Sequence, residues 1–411
     1  MGLRASMAGT LFGTGVAWAL LWSSAAGAVD DGEVVIGVLT DVGGAYSGAA
    51  GQGSLLAAEL AAEDFGWNIA GTDIRVEVAD HENDPDVSRQ EAERLHQSMD
   101  ADLIVGMPSS AAALGAQAYA AGREDLVIIH TGSGTTRLTG QDCAANSLHW
   151  QYNTRALTTG ITEALADRDR SLNWYVLALD HPFGHGVHEG IEQALAGTPD
   201  RIVGSHFHAF GKRDFYPRLE EAISLDADVI AIGNAGAGLI AAIRQAKELG
   251  VGVHDVQMVG VLTLLTDVRR LGLYAASGLR FVSPYYWDQS EASRAFAERF
   301  RRRLGKAPGS NHIAVYTATL HYLKAVAETG MHAGPRVMRA MKSAPVEDGI
   351  TRNGRVRVDG RMIHDLNFVE VKKAGEVKQA QAYYRILKVL PAEAAFGPLN
   401  PECPLVEQTA G

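Results

Sequence analysis

Cysteine is scarce: Cys143 and Cys403 are the two thiols in 411 residues. So few exclude a disulfide-dense scaffold and a four-thiolate zinc site. Positive charge is also in deficit. The chain carries 37 Lys and Arg against 48 Asp and Glu, a formal net charge of -11, which argues against a nucleic-acid backbone as partner. Long apolar runs are rare. Residues 103–122, LIVGMPSSAAALGAQAYAAG, carry no charge, yet Pro108-Ser109-Ser110 interrupts them and the remainder is Ala-rich. A buried strand, a loop and a helix explain the stretch better than a bilayer does. No G-x-S-x-G elbow or P-loop lysine motif occurs, and Ser109-Ser110 has no identifiable base, so no catalytic residue is assigned and no cofactor is implied. With 46% hydrophobic and 21% charged residues, wholesale disorder is excluded.

The first segment stands apart. Residues 1–28 place Arg4 before an uncharged stretch that ends Ala26-Gly27-Ala28, small residues at both recognition positions of a signal peptidase. This predicts a signal peptide over 1–28, cleavage before Val29, and export to an oxidising compartment. No Cys lies near the site to carry a lipid anchor.

Strand, loop and helix then alternate. Apolar runs at 33–39, 74–79, 103–106 and 126–130 read as strands, separated by helical patterns at 54–65, 85–99 and 110–121. The alternation restarts after residue 150, with strands at 174–179, 202–206, 229–232, 256–261 and 279–282. A long helix at 313–328 and another at 336–342 precede strands at 355–358, 366–371 and 383–389. Such spacing implies α/β architecture, with parallel sheets covered on both faces. In open α/β sheets ligands sit beyond the carboxyl ends of the strands. That rule selects the loops 43–48, 107–110, 131–136, 180–184 and 233–236. Their hydroxyls and helix-start N–H groups suit a carboxylate, and Tyr46, Phe183, Tyr286 and Trp287 offer apolar faces.

At this point a resemblance becomes visible. The run VEVADHENDPDVSRQEAERLHQSMDADLIVG (76–106) resembles the type I extracytoplasmic substrate-binding proteins of ABC transporters, the family that includes leucine/isoleucine/valine-binding proteins. So do IGVLTDVGGAYSGAAGQGSLLAAELAAEDFG (36–66), HTGSGTTRLTG (130–140), DHPFGHGVHEG (180–190), GNAGAGLIAAIRQAKELG (233–250) and GRVRVDGRM (354–362), in family order. LHWQYN (148–153) and the late Cys-Pro-Leu (403–405) are similar to a branch of which some members take up aromatic acids.

The resemblance implies a type I periplasmic binding protein fold: two doubly wound lobes, joined by a multi-strand hinge, closing over a ligand in the cleft. The N-terminal lobe is expected over 29–152 with a return over 283–344. The C-terminal lobe is expected over 153–282 with a return over 345–392, followed by a tail over 393–411. Ser110 matches the family hydroxyl after the third strand, Tyr46 the aromatic after the first, and 132–135 the segment that holds a ligand carboxylate. Phe183 stands where amino-acid binders often have Tyr. The expected ligand-binding residues are Tyr46, Ser109, Ser110, Thr131, Ser133, Thr135, Tyr152, Phe183, Asn234 and Tyr286. One departure bears on the ligand. Amino-acid binders commonly place an acid before the 239–249 helix to pair the ammonium, whereas residues 229–243 contain no Asp or Glu. A buried unpaired ammonium is costly, which favours a carboxylated aromatic or apolar ligand over an α-amino acid.

Other constellations have simpler readings. His181, His185 and His188 show metal-like spacing but lack a clear carboxylate partner beyond Asp180 and Glu189, so no metal site is assigned. Asp80, Glu82, Asp84 and Asp86 lack the Gly and Glu of a calcium loop, and Asp84-Pro85 reads as a helix start. Arg301-Arg302-Arg303 reads as a solvated helix end. An even thiol count in an exported chain predicts one bridge, Cys143–Cys403, tethering the tail near residues 139–147. Taken together, these features predict a monomeric periplasmic binding protein, not an enzyme, with an ABC permease and a small carboxylate as partners. A branched-chain or aromatic amino acid is the alternative ligand. A ligand-sensing regulator on the same fold is the alternative class.

Overall fold

The computed structural model describes residues 32–166, 170–251 and 256–407. The segment 1–28, read as a signal peptide, lies outside the described residues. Each apolar run becomes a strand that a parallel sheet buries on both faces. The first sheet comprises β1 (Val34–Thr40), β2 (Asn68–Ile69), β3 (Thr72–Asp80), β4 (Leu103–Gly106), β5 (Val127–His130) and β6 (Ser147–His149), in the order β2-β3-β1-β4-β5-β6. All its pairings are parallel except the short β2–β3 hairpin. The second sheet begins with β7 (Asn173–Leu179), β8 (Arg201–His208), β9 (Val229–Gly233), β10 (Gln257–Gly260) and β11 (Arg280–Ser283). A small hairpin, β12 (Arg355–Val356) with β13 (Met362–Ile363), precedes β14 (Leu366–Val371) and β15 (Tyr384–Leu390). Seven strands then run β15-β14-β11-β10-β9-β7-β8, the last two additions antiparallel. The architecture is two α/β lobes, as expected; β2 and β6 are strands that periodicity passed over, because each spans too few residues to show one.

Helices cover the sheets, and their starts follow ordinary capping chemistry. Asp84 Oδ1 accepts from the N–H groups of Asp86 (2.8 Å) and Val87 (3.0 Å), so the acidic cluster is indeed a helix start. In the first lobe the Gly51–Asp64 helix packs on Glu291–Leu304 and Ser310–Thr329. The arginine run ends its helix with Arg302 and Arg303 exposed, as read, and two of its side chains also make contacts. Arg303 pairs with Glu63, and Arg301 lies 5.0 Å over the Trp287 ring. Arg299, one turn earlier, bonds Asp64 at 2.6 Å. The run faces a neighbouring helix rich in acids rather than water alone.

The chain passes between the sheets at 150–153, 284–290 and 344–365. A wholly buried guanidinium holds these crossings together. Arg361 donates to the carbonyls of Tyr152 (3.0 Å), Trp150 (3.1 Å) and Met362 (3.1 Å), and sits 4.8 Å over the Phe396 ring. Burial, with Arg357 nearby, pulls its pKa down to about 9. His364 bonds the Gln151 carbonyl at 2.9 Å and stacks on Tyr285. The tail follows: its Ala392–Phe396 helix packs on the Thr154–Leu165 helix of the second lobe, and Cys403 is bonded to Cys143 of the first.

Candidate functional site

The loop after β1 is shaped by Asp41, which is fully buried. Its carboxylate accepts from Gly44 N–H (2.5 Å), Tyr46 N–H (2.7 Å) and Asn83 Nδ2 (2.6 Å), folding the loop into the cleft. Opposite, Asn234 follows β9. Its Nδ2 meets His208 Nε2 at 3.2 Å and its Oδ1 accepts from Ala235 N–H at 2.8 Å. A cavity of about 510 Å³ lies between them. Its first-lobe wall is 44–49 with Lys306; its second-lobe wall is Leu179, 210–213, 234–238 and 264–270. Contact between the lobes is close, since Ala49 shares an apolar cluster with Leu262, Leu264 and Phe183.

The electrostatics of this cavity are one-sided. Lys212, Arg213, Arg269, Arg270 and Lys306 line it, and Asp267 is the acid among the lining residues. Asp267 is buried and already engaged, accepting from Leu264 N–H at 3.0 Å. Burial pushes its pKa up to about 6. Tyr46 is pushed up to about 12, by burial first and then by Asp267 and Asp41. Its hydroxyl therefore stays protonated and able to donate.

The remaining expected site residues form a deeper floor. Ser110 Oγ accepts from Gly134 N–H at 3.2 Å, Tyr152 O–H donates to Gly132 C=O at 2.6 Å, and Thr131 bonds Gly106 C=O. Thr135 caps a short 3-10 turn through Arg137 N–H, while Ser109 precedes its helix without a side-chain cap bond. Ser133 Oγ and Thr154 Oγ1 are buried without a hydrogen-bond partner. Phe183 covers this floor: a Cβ on Gly134 would lie 2.8 Å from its ring. The Tyr46 hydroxyl lies near enough to Tyr152 to help burial raise its pKa, which links floor and cavity.

Of the ten expected residues, Tyr46 and Asn234 line the cavity, whereas Ser109, Ser110, Thr131, Ser133, Thr135, Tyr152 and Phe183 lie outside its lining. Tyr286 stands elsewhere, stacked on Tyr384 with ring centroids 4.8 Å apart and lining a small separate cavity. Sequence reasoning missed Asp267 and the basic wall. The strand-end rule, extended to the loops after β8 and β10, reaches the segments that carry Lys212, Arg213, Asp267, Arg269 and Arg270, though not Lys306. The histidine trio is divided among other tasks. His181 caps its helix through Phe183 N–H, His185 meets Asp180 at 2.9 Å, and His185 and His188 both lie against Phe207.

The comparisons agree with this geometry. The periplasmic binding protein family matches residues 33–376. A periplasmic binding protein from Burkholderia mallei is 33% identical, with a TM-score of 0.85 over 91% of this chain and 99% of that one. A branched chain amino acid ABC transporter periplasmic ligand-binding protein from Burkholderia xenovorans is 29% identical, with a TM-score of 0.83 over 89% and 97%. A Rhodopseudomonas palustris solute-binding protein, solved with 3,4-dihydroxybenzoic acid, shares the fold at 19% identity and a TM-score of 0.76 over 88% and 98%. No curated protein matches. Two α/β lobes, a cavity walled by both and a family match along most of the chain lead to one assignment: the chain belongs to the periplasmic binding proteins, the solute-binding components of ABC transporters.

Proposed function

We propose that this protein, exported through a cleaved 1–28 segment and acting as a monomer, captures a small carboxylate between its lobes and presents it to the permease of an ABC importer. The segments 29–152 with 283–344, and 153–282 with 345–392, are the moving bodies. Ligand touches both walls only when they close, so binding shifts the hinge equilibrium towards closure. The observation that carries the carboxylate reading is the five basic side chains that line one cavity with a single acid, Asp267, which already accepts from Leu264 N–H. A ligand carboxylate meets guanidinium and ammonium donors there, with Tyr46 and Asn234 beside it and the hydroxyls of Ser110 and Ser133 below. Phe183 and Leu179 supply the apolar surface that an aromatic or aliphatic body needs.

An α-amino acid is the second reading. It is supported by the position of Asp267 in the wall and by the amino-acid transporter named for the Burkholderia xenovorans relative. Thermal denaturation with benzoate, 3-phenylpropanoate and hexanoate, against phenylalanine and leucine, separates the two. A ligand at a hundred times its Kd stabilises by about 2.7 kcal/mol. The deaminated acids are expected to raise Tm. A rise with the amino acids alone would overturn the carboxylate reading.

A further inference from the structure

The basic wall is larger than one carboxylate needs. A single carboxylate is satisfied by one bidentate guanidinium or by two or three N–H donors. Here basic side chains reach one cavity from three separate segments and from both lobes: Lys212 and Arg213 after β8, Arg269 and Arg270 after β10, and Lys306 from the opposite lobe. Arg269 is half-buried and incompletely paired. One of its Nη groups donates to the Ala307 carbonyl at 2.9 Å, while Nε is buried without a partner. Asp267 offsets one of these five charges, lying close enough to Arg270 for the two to act on each other. Lys306 already stands beside like charge, since Arg269 bonds the carbonyl of the adjacent Ala307, and the like charges repel one another. An occupant with one negative charge leaves most of that repulsion in place.

The geometry points to a ligand with two anionic groups, a dicarboxylate or a carboxylate bearing a second acidic substituent, held with one group towards Arg269 and Arg270 and the other towards Lys306. The volume, about 510 Å³, accommodates a small acid with two anionic groups. Such a ligand does two things at once: it neutralises both walls and bridges them, so its second charge contributes to closure as well as to binding. This inference rests on the carboxylate reading above and deepens it.

Isothermal titration calorimetry of the mature chain with matched pairs tests it: adipate against hexanoate, and benzene-1,3-dicarboxylate against benzoate, at low and at moderate salt. The diacid of at least one pair is expected to bind about tenfold more tightly than its monoacid, with the margin shrinking as salt rises. In Lys306→Gln and Arg270→Gln the ratio of diacid to monoacid affinity should fall, whatever happens to monoacid affinity itself. Lys306→Arg, which keeps the charge, should retain it. Equal affinities within both pairs would overturn the two-charge inference and leave the carboxylate reading standing. Binding of leucine or phenylalanine with no response to any of the four acids would remove both. Circular dichroism of each variant separates loss of the margin from loss of fold.

Discussion

Asp267 shows how one residue is set by its surroundings. Its carboxyl caps a backbone turn inside a basic cavity, and burial lifts its pKa from 3.8 to about 6. The folded state thus holds this proton more tightly than the unfolded chain does. The resulting stabilisation is complete below about pH 4 and is lost as pH rises through about 6, roughly 3 kcal/mol in all. Buried histidines act in the opposite sense. Burial lowers His130 to about 3, so its contribution is present above pH 6.5 and lost as pH falls. Urea denaturation of wild type and Asp267→Asn at pH 4 to 7 isolates the carboxyl, because the histidines cancel in the difference. Relative to wild type, the variant is expected to gain roughly 3 kcal/mol between pH 4 and pH 7. A flat difference would show that Asp267 titrates normally. At this scale Tyr46 and Asn234 were legible, since strand ends can be located in a chain and the next side chains named. Asp267 was not, because residues 229–243 hold no acid and nothing local shows that residue 267 folds back onto them.

The elements that join the lobes depend on a residue type that composition assigns to the surface. An arginine is seldom fully buried unless its donors are met, and Arg361 meets them with carbonyls from the crossing strand rather than with a carboxylate. Replacing it by Gln removes the guanidinium donors from the Tyr152 and Trp150 carbonyls, of which Trp150 keeps the Tyr152 N–H. The expected loss is about 2–4 kcal/mol, read as a lower urea midpoint at unchanged slope. Arg361→Lys should recover only part of it, because an ammonium does not reproduce the planar fork. A change below about 0.5 kcal/mol would show that other contacts hold the crossing. The strand read at 355–358 meets β12 at Arg355–Val356; β13 and β6 were not legible, since two or three residues carry no period.

Across the whole molecule the tail acts as a fastening. Phe396 lies under Arg361 at the hinge, and Cys403 is bonded to Cys143, 260 positions earlier, with Cα atoms 5.6 Å apart. Closing so long a loop restricts the unfolded chain, which stabilises the fold by up to roughly 5 kcal/mol. Reduction, or Cys143→Ser with Cys403→Ser, is expected to lower Tm clearly while leaving circular dichroism near native. An unchanged Tm would show that the tail contributes nothing to stability. The bridge was legible because only one pairing exists for two thiols. The alternation of strands and helices was legible for a related reason: burial on two faces or one leaves a local period in the chain. What lines the cavity was decided by tertiary structure. Sheet order places the loops after β1, β8, β9 and β10 together, and the return segment brings Lys306 from the other lobe. Charge convergence of that kind joins residues far apart in the chain, from Lys212 to Lys306, and no local pattern records it.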